Sequence, residues 1–488
     1  MPDIKLSKVS GSNFKEILDN LSCSIDSLYF DDEAKLYFES YISSRCTDVY
    51  VEYPYYDIEY LSSVYSYYVK ATKPVRRECY RLHFYIQDDY MGYIVLRPTP
   101  QMHIGRIQAD PKLFLRKKAY LITQEYKSNI LGEENIVKCF QFLKQDPEVA
   151  MCAQVATWAV VEHATRFNRN VISRKIAEIT DMTWTFPERK IPAKGLTAQN
   201  IMEVLTSAGL FPIILGNTHS GIYKNEVLAY IESGIPVIGF IKNERHAVCL
   251  IGHGEVRKFT KESEFERFCV QNQELFKDKH GHILESNIIL NNKFIDKVIV
   301  NDDNYAPYLE MPLDLELKGK DPNALGKVSG EKRISYTMAG MDGFVIPLSE
   351  KIYLSYQDVY KTASSYILSK RNDFPGSVVM RIYLAESAAF KAHALKNISD
   401  YNLSDTICKL SMSMYIWCVE LSTPENYQRD MVDSIFVYDS TRHSKDTQPW
   451  ILVQTLSQIE HFDGEKFSDP ISVKVAPYSQ YRCNLEGF

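Results

Sequence analysis

Gln145-Asp-Pro-Glu-Val-Ala-Met-Cys152-Ala-Gln-Val-Ala-Thr-Trp-Ala-Val-Val-Glu-His163 is the stretch on which the fold turns. Asp146 and Pro147 interrupt whatever precedes them, since proline restricts its own φ and pushes the residue before it out of the helical region. Beyond them Val155, Ala156, Ala159, Val160 and Ala164 recur at helical spacing, which predicts a mostly buried helix with Cys152 in or near its first turn. A thiol there meets uncapped backbone N–H groups and the positive end of the helix dipole. Both favour the thiolate, the form that attacks carbon. A lone cysteine on an apolar helix is more often a small buried hydrophobe, so Cys152 gains meaning only from partners elsewhere in the chain.

Two partners stand downstream. Gly234-Ile-Pro-Val-Ile-Gly-Phe-Ile241 reads as an apolar strand, and Asn243-Glu-Arg-His246-Ala-Val-Cys-Leu-Ile-Gly252 as a polar turn and a second strand, with His246 at its start. Lys297-Val-Ile-Val-Asn301-Asp302-Asp303-Asn304 is a short apolar strand ending in carboxylates. An acid at a strand end can hold an imidazole in a useful tautomer and orientation. Asp302 comes first after the strand and is the preferred acid. Asp303 is the alternative, because alternation along a strand would point the two opposite ways.

Between these anchors the order of elements becomes specific. Val171 to Ile179 is a short helix. Lys194-Gly-Leu-Thr-Ala-Gln-Asn-Ile-Met-Glu-Val-Leu-Thr-Ser-Ala-Gly209 reads as a turn, a Thr197 N-cap, a helix and a glycine C-cap. A strand over 210–215 and a helix over 223–233 lead into Gly234-Ile-Pro-Val. Over about residues 140–310 this succession resembles the papain-like cysteine peptidases, nearest to the bacterial bacteriocin-processing branch. There a GLT helix, a GIPVI strand, an HAV strand and a strand ending in Asp follow the nucleophile. The resemblance implies Cys152 as nucleophile, His246 as base, Asp302 as orienting acid and Gln145 as oxyanion donor, with no metal or organic cofactor. Two departures stand out. Many relatives have Gly after the nucleophile where this chain has Ala153, and their glutamine lies about six residues before the cysteine, whereas Gln145 lies seven before; Gln141 is farther still. His163, on the Cys152 helix, and His253, at the exposed end of the His246 strand, are rivals that fit the geometry less well.

The 488 residues are enough for two or three domains, and 24 % charged with 45 % hydrophobic residues is ordinary for a globular chain. A net charge of -6 argues against bulk nucleic-acid binding. Ten cysteines without paired CxxC spacing point to neither a zinc site nor a disulfide framework. No signal peptide or membrane span is expected, so a bacterial cytoplasmic enzyme is the reading.

The chain divides into a Tyr-rich α/β region (1–130), a papain-like core (131–334) with a charged insertion (255–292), and a C-terminal α/β region (335–488). Tyrosines such as Tyr53 and Tyr65–Tyr68 read as half-buried sheet residues. Arg97-Pro-Thr-Pro100 reads as a strand stop and Gly105-Arg106 as a turn, with Arg97 and Arg106 either binding an anion or pairing with acids. Gly343 to Leu348 and Lys351 to Leu354 are strand-like. Arg381, Glu420 and Asp439 suit a buried ionic network. The insertion is either a lid on the cleft or an excursion far from it.

The expected fold is α+β: a helix-borne cysteine packed on an antiparallel sheet, with N- and C-terminal additions. The expected function is a cysteine peptidase or isopeptidase acting through an acyl-enzyme on a protein or peptide. The alternatives are a papain-fold acyltransferase or deamidase, and a catalytically lapsed papain-like binding or signalling module. No nucleic acid or membrane partner is expected, a regulatory partner protein is one way to open a covered cleft, and the oligomeric state is not legible.

Overall fold

The structure, a computed structural model, describes residues 4–70, 75–99, 101–130, 132–146, 148–184, 193–216, 222–241, 246–277, 283–314, 336–374, 376–443, 449–462, 466 and 468–488. It is a mixed α+β fold. Three large sheets carry the chain, and their pairings are antiparallel except where Ile288–Leu290 runs parallel to Val378–Met380.

The first sheet has the order Lys5–Ser10, Asp48–Tyr55, Cys79–Ile86, Asp89–Leu96, Ile104–Ala109 and Phe142–Leu143. Helices Phe14–Ser24 and Asp32–Tyr41 bring Ile17, Leu21 and Phe38 into one core with Val49, Leu82 and Ile94. The expected turn at Gly105-Arg106 is instead part of the Ile104–Ala109 strand. Tyr53 stacks on Tyr80 at 4.3 Å, as a sheet tyrosine should, but Tyr65 and Tyr68 belong to helical segments, Ile58–Ser66 and Tyr68–Lys70.

The middle sheet has the order Phe211–Gly216, Gly343–Leu348, Val237–Ile241, His246–Gly254, Lys297–Asn301 and Leu309–Pro312, with Ala119–Leu121 and Glu486–Gly487 joined at one side. Alternation along the His246 strand divides its side chains. Ala247, Cys249 and Ile251 share a core with Val155, Ala156, Ala159 and Val160 of the helix Cys152–Phe167, while Val248 and Leu250 share another with Val298 and Val300. Gly252 is obligatory here, because an added Cβ would lie 2.2 Å from the Tyr120 carbonyl oxygen of the neighbouring strand. The Thr197 cap is present, its hydroxyl accepting from Asn200 N–H, and the helix Ala198–Ser207 closes on Gly209 at φ +96°. The short helix expected over 171–179 runs instead over Ile176–Met182.

The third sheet runs from Gln273–Lys277 and Ile283–Leu290 through Val378–Glu386, Tyr415–Ser422, Ser434–Asp439 and Trp450–Gln454. Sheets therefore exchange segments across residue 334. Gly343–Leu348 completes the middle sheet, and the insertion strands extend the C-terminal one. The insertion helix Glu262–Gln271 and the residues before it place Phe259, Phe265 and Phe268 against Phe294, Val379 and Tyr427. Residues 351–354 form a turn with Lys351 at φ +70° rather than a strand.

Arg381 lies at the centre of a buried network. It donates to Glu232 (2.5 Å) and Glu420 (2.9 Å), whereas Asp439 stands apart and pairs with Arg442 (3.5 Å). All ten cysteines are free, and no helix among the described residues is long and apolar enough to cross a membrane.

Candidate active site

The helix Cys152–Phe167 begins directly on the cysteine. Met151 is its N-cap and offers no side-chain hydrogen bond, so the first-turn N–H groups are left to whatever enters the site. A tight loop sets this start: Asp146 N–H donates to Ala150 O (3.0 Å) and Ala150 N–H to Asp146 O (2.9 Å). The Asp146 carboxylate is anchored by the Tyr68 hydroxyl at 2.7 Å.

His246 is buried at the first position of its strand, and Asp302 follows the last residue of the antiparallel strand beside it. The register Cys249↔Asn301 brings that start and that end to the same edge of the sheet. His246 Nε2 donates to Asp302 Oδ1 at 2.8 Å, and the Cys152 thiol is near enough to the ring to favour its charged form. With Nε2 engaged by the carboxylate, Nδ1 is the nitrogen left for sulfur. Asp302 is itself held on three sides. Its Oδ2 accepts from the Tyr336 hydroxyl, its Oδ1 from Asn304 N–H (3.0 Å), and its backbone carbonyl from Tyr305 N–H (3.0 Å). Burial opposes a charge on His246, but the hydrogen bond to Asp302, the nearby Cys152 thiol and the charges of Asp302 and Asp303 outweigh it, raising the imidazole to about 11.

Asp303 converges on the same ring instead of pointing away, because the chain leaves the strand at Asn301 and turns, so strand alternation no longer applies. Its Oδ1 lies 3.8 Å from His246 Nε2, outside hydrogen-bond reach, and its Oδ2 has no hydrogen-bond partner among the described residues. Burial pushes its carboxyl up to about 7. His246, Asp302 and Asp303 offer three ligand atoms within 4.8 Å of one another. A zinc ion about 2.0–2.1 Å from each ligand in tetrahedral geometry would hold them about 3.3 Å apart, whereas His246 and Asp302 stand at 2.8 Å, a direct hydrogen-bond distance.

Gln145 is brought to the same edge. Its Nε2 donates to Asn304 Oδ1 (2.5 Å), and Asn304 Nδ2 stands 3.4 Å from each His246 ring nitrogen. Lys144 is buried, donates to the carbonyls of Asn304 (3.2 Å) and Tyr305 (3.1 Å), and is pushed down to about 8 by that burial. Arg97 donates to the carbonyls of Gln145 (2.5 Å) and Lys144 (3.1 Å), and Arg106 pairs with Asp57 (2.8 Å). The two arginines therefore serve interior partners. Gln141 is buried, with Oε1 unpartnered among the described residues.

The rival histidines are elsewhere. His163 is buried, stacks on Phe140 at 5.0 Å and is held neutral by burial, at about 3. His253 is fully buried rather than exposed, and its Nε2 lies 3.3 Å from Glu232 Oε1. The polar turn expected before His246 falls on 242–245, outside the described residues. Sequence reasoning missed Tyr336, Lys144 and Asn304. Tyr336 is 34 positions from the acid it serves, so no local pattern could reveal it. The polar run Asn301–Asn304 was the available signal for Asn304.

Comparisons with protein-family models, with curated proteins and with solved structures found no match to this chain.

Proposed function

We propose that the chain is a papain-like cysteine hydrolase acting on a peptide or isopeptide bond. One observation carries this reading: a thiol on the first residue of a helix, beside a buried imidazole that rests on a buried carboxylate. An imidazolium stabilised in this way supports a thiolate beside it. The Cys152 sulfur attacks the carbonyl carbon, and the oxyanion forms facing the Cys152 N–H and the Gln145 amide. His246 then protonates the leaving amine, and a water, activated by the same ring, resolves the acyl-enzyme.

An amine in place of that water gives acyl transfer, and a glutamine side chain as substrate gives deamidation, with the same residues in the same roles. The lapsed-module reading has Ala153 in its favour and the convergence of Cys152, His246 and Asp302 against it. Comparing protein amino termini and isopeptide-linked lysines between cells holding the wild-type chain and cells holding Cys152→Ala tests the proposal. New termini or freed lysines that depend on Cys152 are expected, and identical profiles with an otherwise unmodified proteome would count against hydrolysis.

A further inference from the structure

We propose that Asn304 is a positioning residue that holds the Gln145 carboxamide in place for the oxyanion. This deepens the reading of Cys152 as nucleophile and rests on it. Gln145 is a partly exposed side chain with three rotatable bonds, and left alone it would sample several rotamers. A donor that wanders stabilises no developing charge, because oxyanion stabilisation depends on donors already aimed. The structure fixes Gln145 from two sides. Arg97 holds its backbone carbonyl at 2.5 Å, and Asn304 Oδ1 accepts from its side-chain Nε2 at 2.5 Å. A carboxamide nitrogen carries two hydrogens, so one bond to Asn304 leaves the second N–H for the substrate.

Asn304 can do this because its own position is determined. Its N–H donates to Asp302 Oδ1 (3.0 Å), its carbonyl accepts from Lys144 Nζ (3.2 Å), and the turn is closed by Tyr305 N–H on Asp302 O (3.0 Å). Lys144 and Gln145 are consecutive, so the loop before the nucleophile is joined to the acid turn by two adjacent side chains. Asn304 Nδ2 stands equally far, 3.4 Å, from both ring nitrogens. It therefore lies along neither nitrogen's bonding direction and leaves Nε2 to Asp302 and the other nitrogen to Cys152. The carboxamide of Asn304 thus sets the distance between the oxyanion donor and the general base.

The test separates chemistry that develops an oxyanion from chemistry that does not. With p-nitrophenyl acetate the sulfur–carbon bond forms, the carbonyl oxygen carries the charge, and the carbon–oxygen bond to p-nitrophenolate breaks. With iodoacetamide the sulfur displaces iodide from a saturated carbon and no oxyanion appears. Both adducts on Cys152 are followed by peptide-resolved mass spectrometry in the full chain. Losing one oxyanion donor costs about 10²–10³-fold, so Gln145→Ala should slow acetylation by that order and Asn304→Ala by about 10-fold or more. Alkylation should change less than about 3-fold in either variant. The double variant should acetylate no slower than Gln145→Ala alone, since both act through one donor. Wild-type acetylation in Asn304→Ala, equal slowing of both reactions, or multiplicative losses in the double variant would each overturn the assignment of Asn304. If wild-type Cys152 acetylates no faster than exposed Cys23, the nucleophile reading falls and Asn304 with it, which is a distinct result.

Discussion

Replacing Asp302 with asparagine removes the charge on which His246 depends, and two distances set the size of the effect. Nε2 is 2.8 Å from Asp302 Oδ1 and 3.8 Å from Asp303 Oδ1. At an effective dielectric of about 20, unit charges at these separations attract by about 6 and about 4 kcal/mol. Asp302 adds a direct hydrogen bond, whereas Asp303 adds none and ionises only around pH 7. Removing one partner of a buried ion pair costs about 3–5 kcal/mol net. At about 1.4 kcal/mol per pKa unit, Asp302→Asn should lower the imidazole by about 2–4 units from its raised position near 11. Asp303→Asn should lower it by less, its carboxylate being more distant and not hydrogen-bonded to the ring. Selective isotope labelling of histidine and an NMR titration of the His246 ring read both shifts. Cys152 alkylation at pH 7 should fall more in Asp302→Asn than in Asp303→Asn, following the larger loss of support for the imidazolium. An unshifted His246 titration in Asp302→Asn, or a larger shift in Asp303→Asn, would refute the assignment of the orienting acid.

Cys152→Ala and Cys152→Ser should abolish turnover while moving the melting temperature by no more than about 2 °C, since one small buried atom changes; calorimetry beside an activity assay checks both. The Asp303 carboxyl rises from 3.8 to about 7 on folding, so between those pH values the folded chain keeps a proton that the unfolded chain has lost. Stability contributed by this group is therefore present at low pH and is lost as pH rises through that window, by up to about 4 kcal/mol. Asp303→Asn should gain stability over the wild type in urea melts at pH 8 and show no gain at pH 4. Arg381→Ala strands Glu232 and Glu420 in the interior and should cost about 3–5 kcal/mol; a urea midpoint within error of wild type would show that the network carries no stability.

Legibility in the sequence followed the range of the interactions. Elements defined by local pattern were readable: the Cys152 helix from its apolar period, the Thr197 cap from its place between a turn and a helical run, and the His246 and Lys297–Asn301 strands from their apolar runs. Sheet membership was not, because a strand pattern carries no address. Gly343–Leu348 reads as a strand but joins a sheet on the far side of the boundary expected at 334, and the strand that ends the 255–292 insertion, legible only over Asn287–Leu290, joins the C-terminal sheet. His253 was misplaced for a related reason. A strand end looks exposed until Glu232, on a separate helix, is packed over it. At the site, Cys152, His246 and Asp302 were legible because each stands at an element boundary with an evident pattern. Tyr336 and Lys144 reach the site through tertiary contact alone.

The central claim is that the Cys152 thiol is activated by His246, and site-resolved alkylation by iodoacetamide tests it most directly. Cys152 is 8 % exposed, whereas Cys23 and Cys483 are open to solvent. Accessibility alone would make Cys152 the slowest of the three. If His246 activates it, Cys152 is the fastest of the three at pH 7, by about 10-fold or more, and His246→Ala removes the advantage. A Cys152 that reacts no faster than Cys23, or one whose rate is indifferent to His246→Ala, would contradict it.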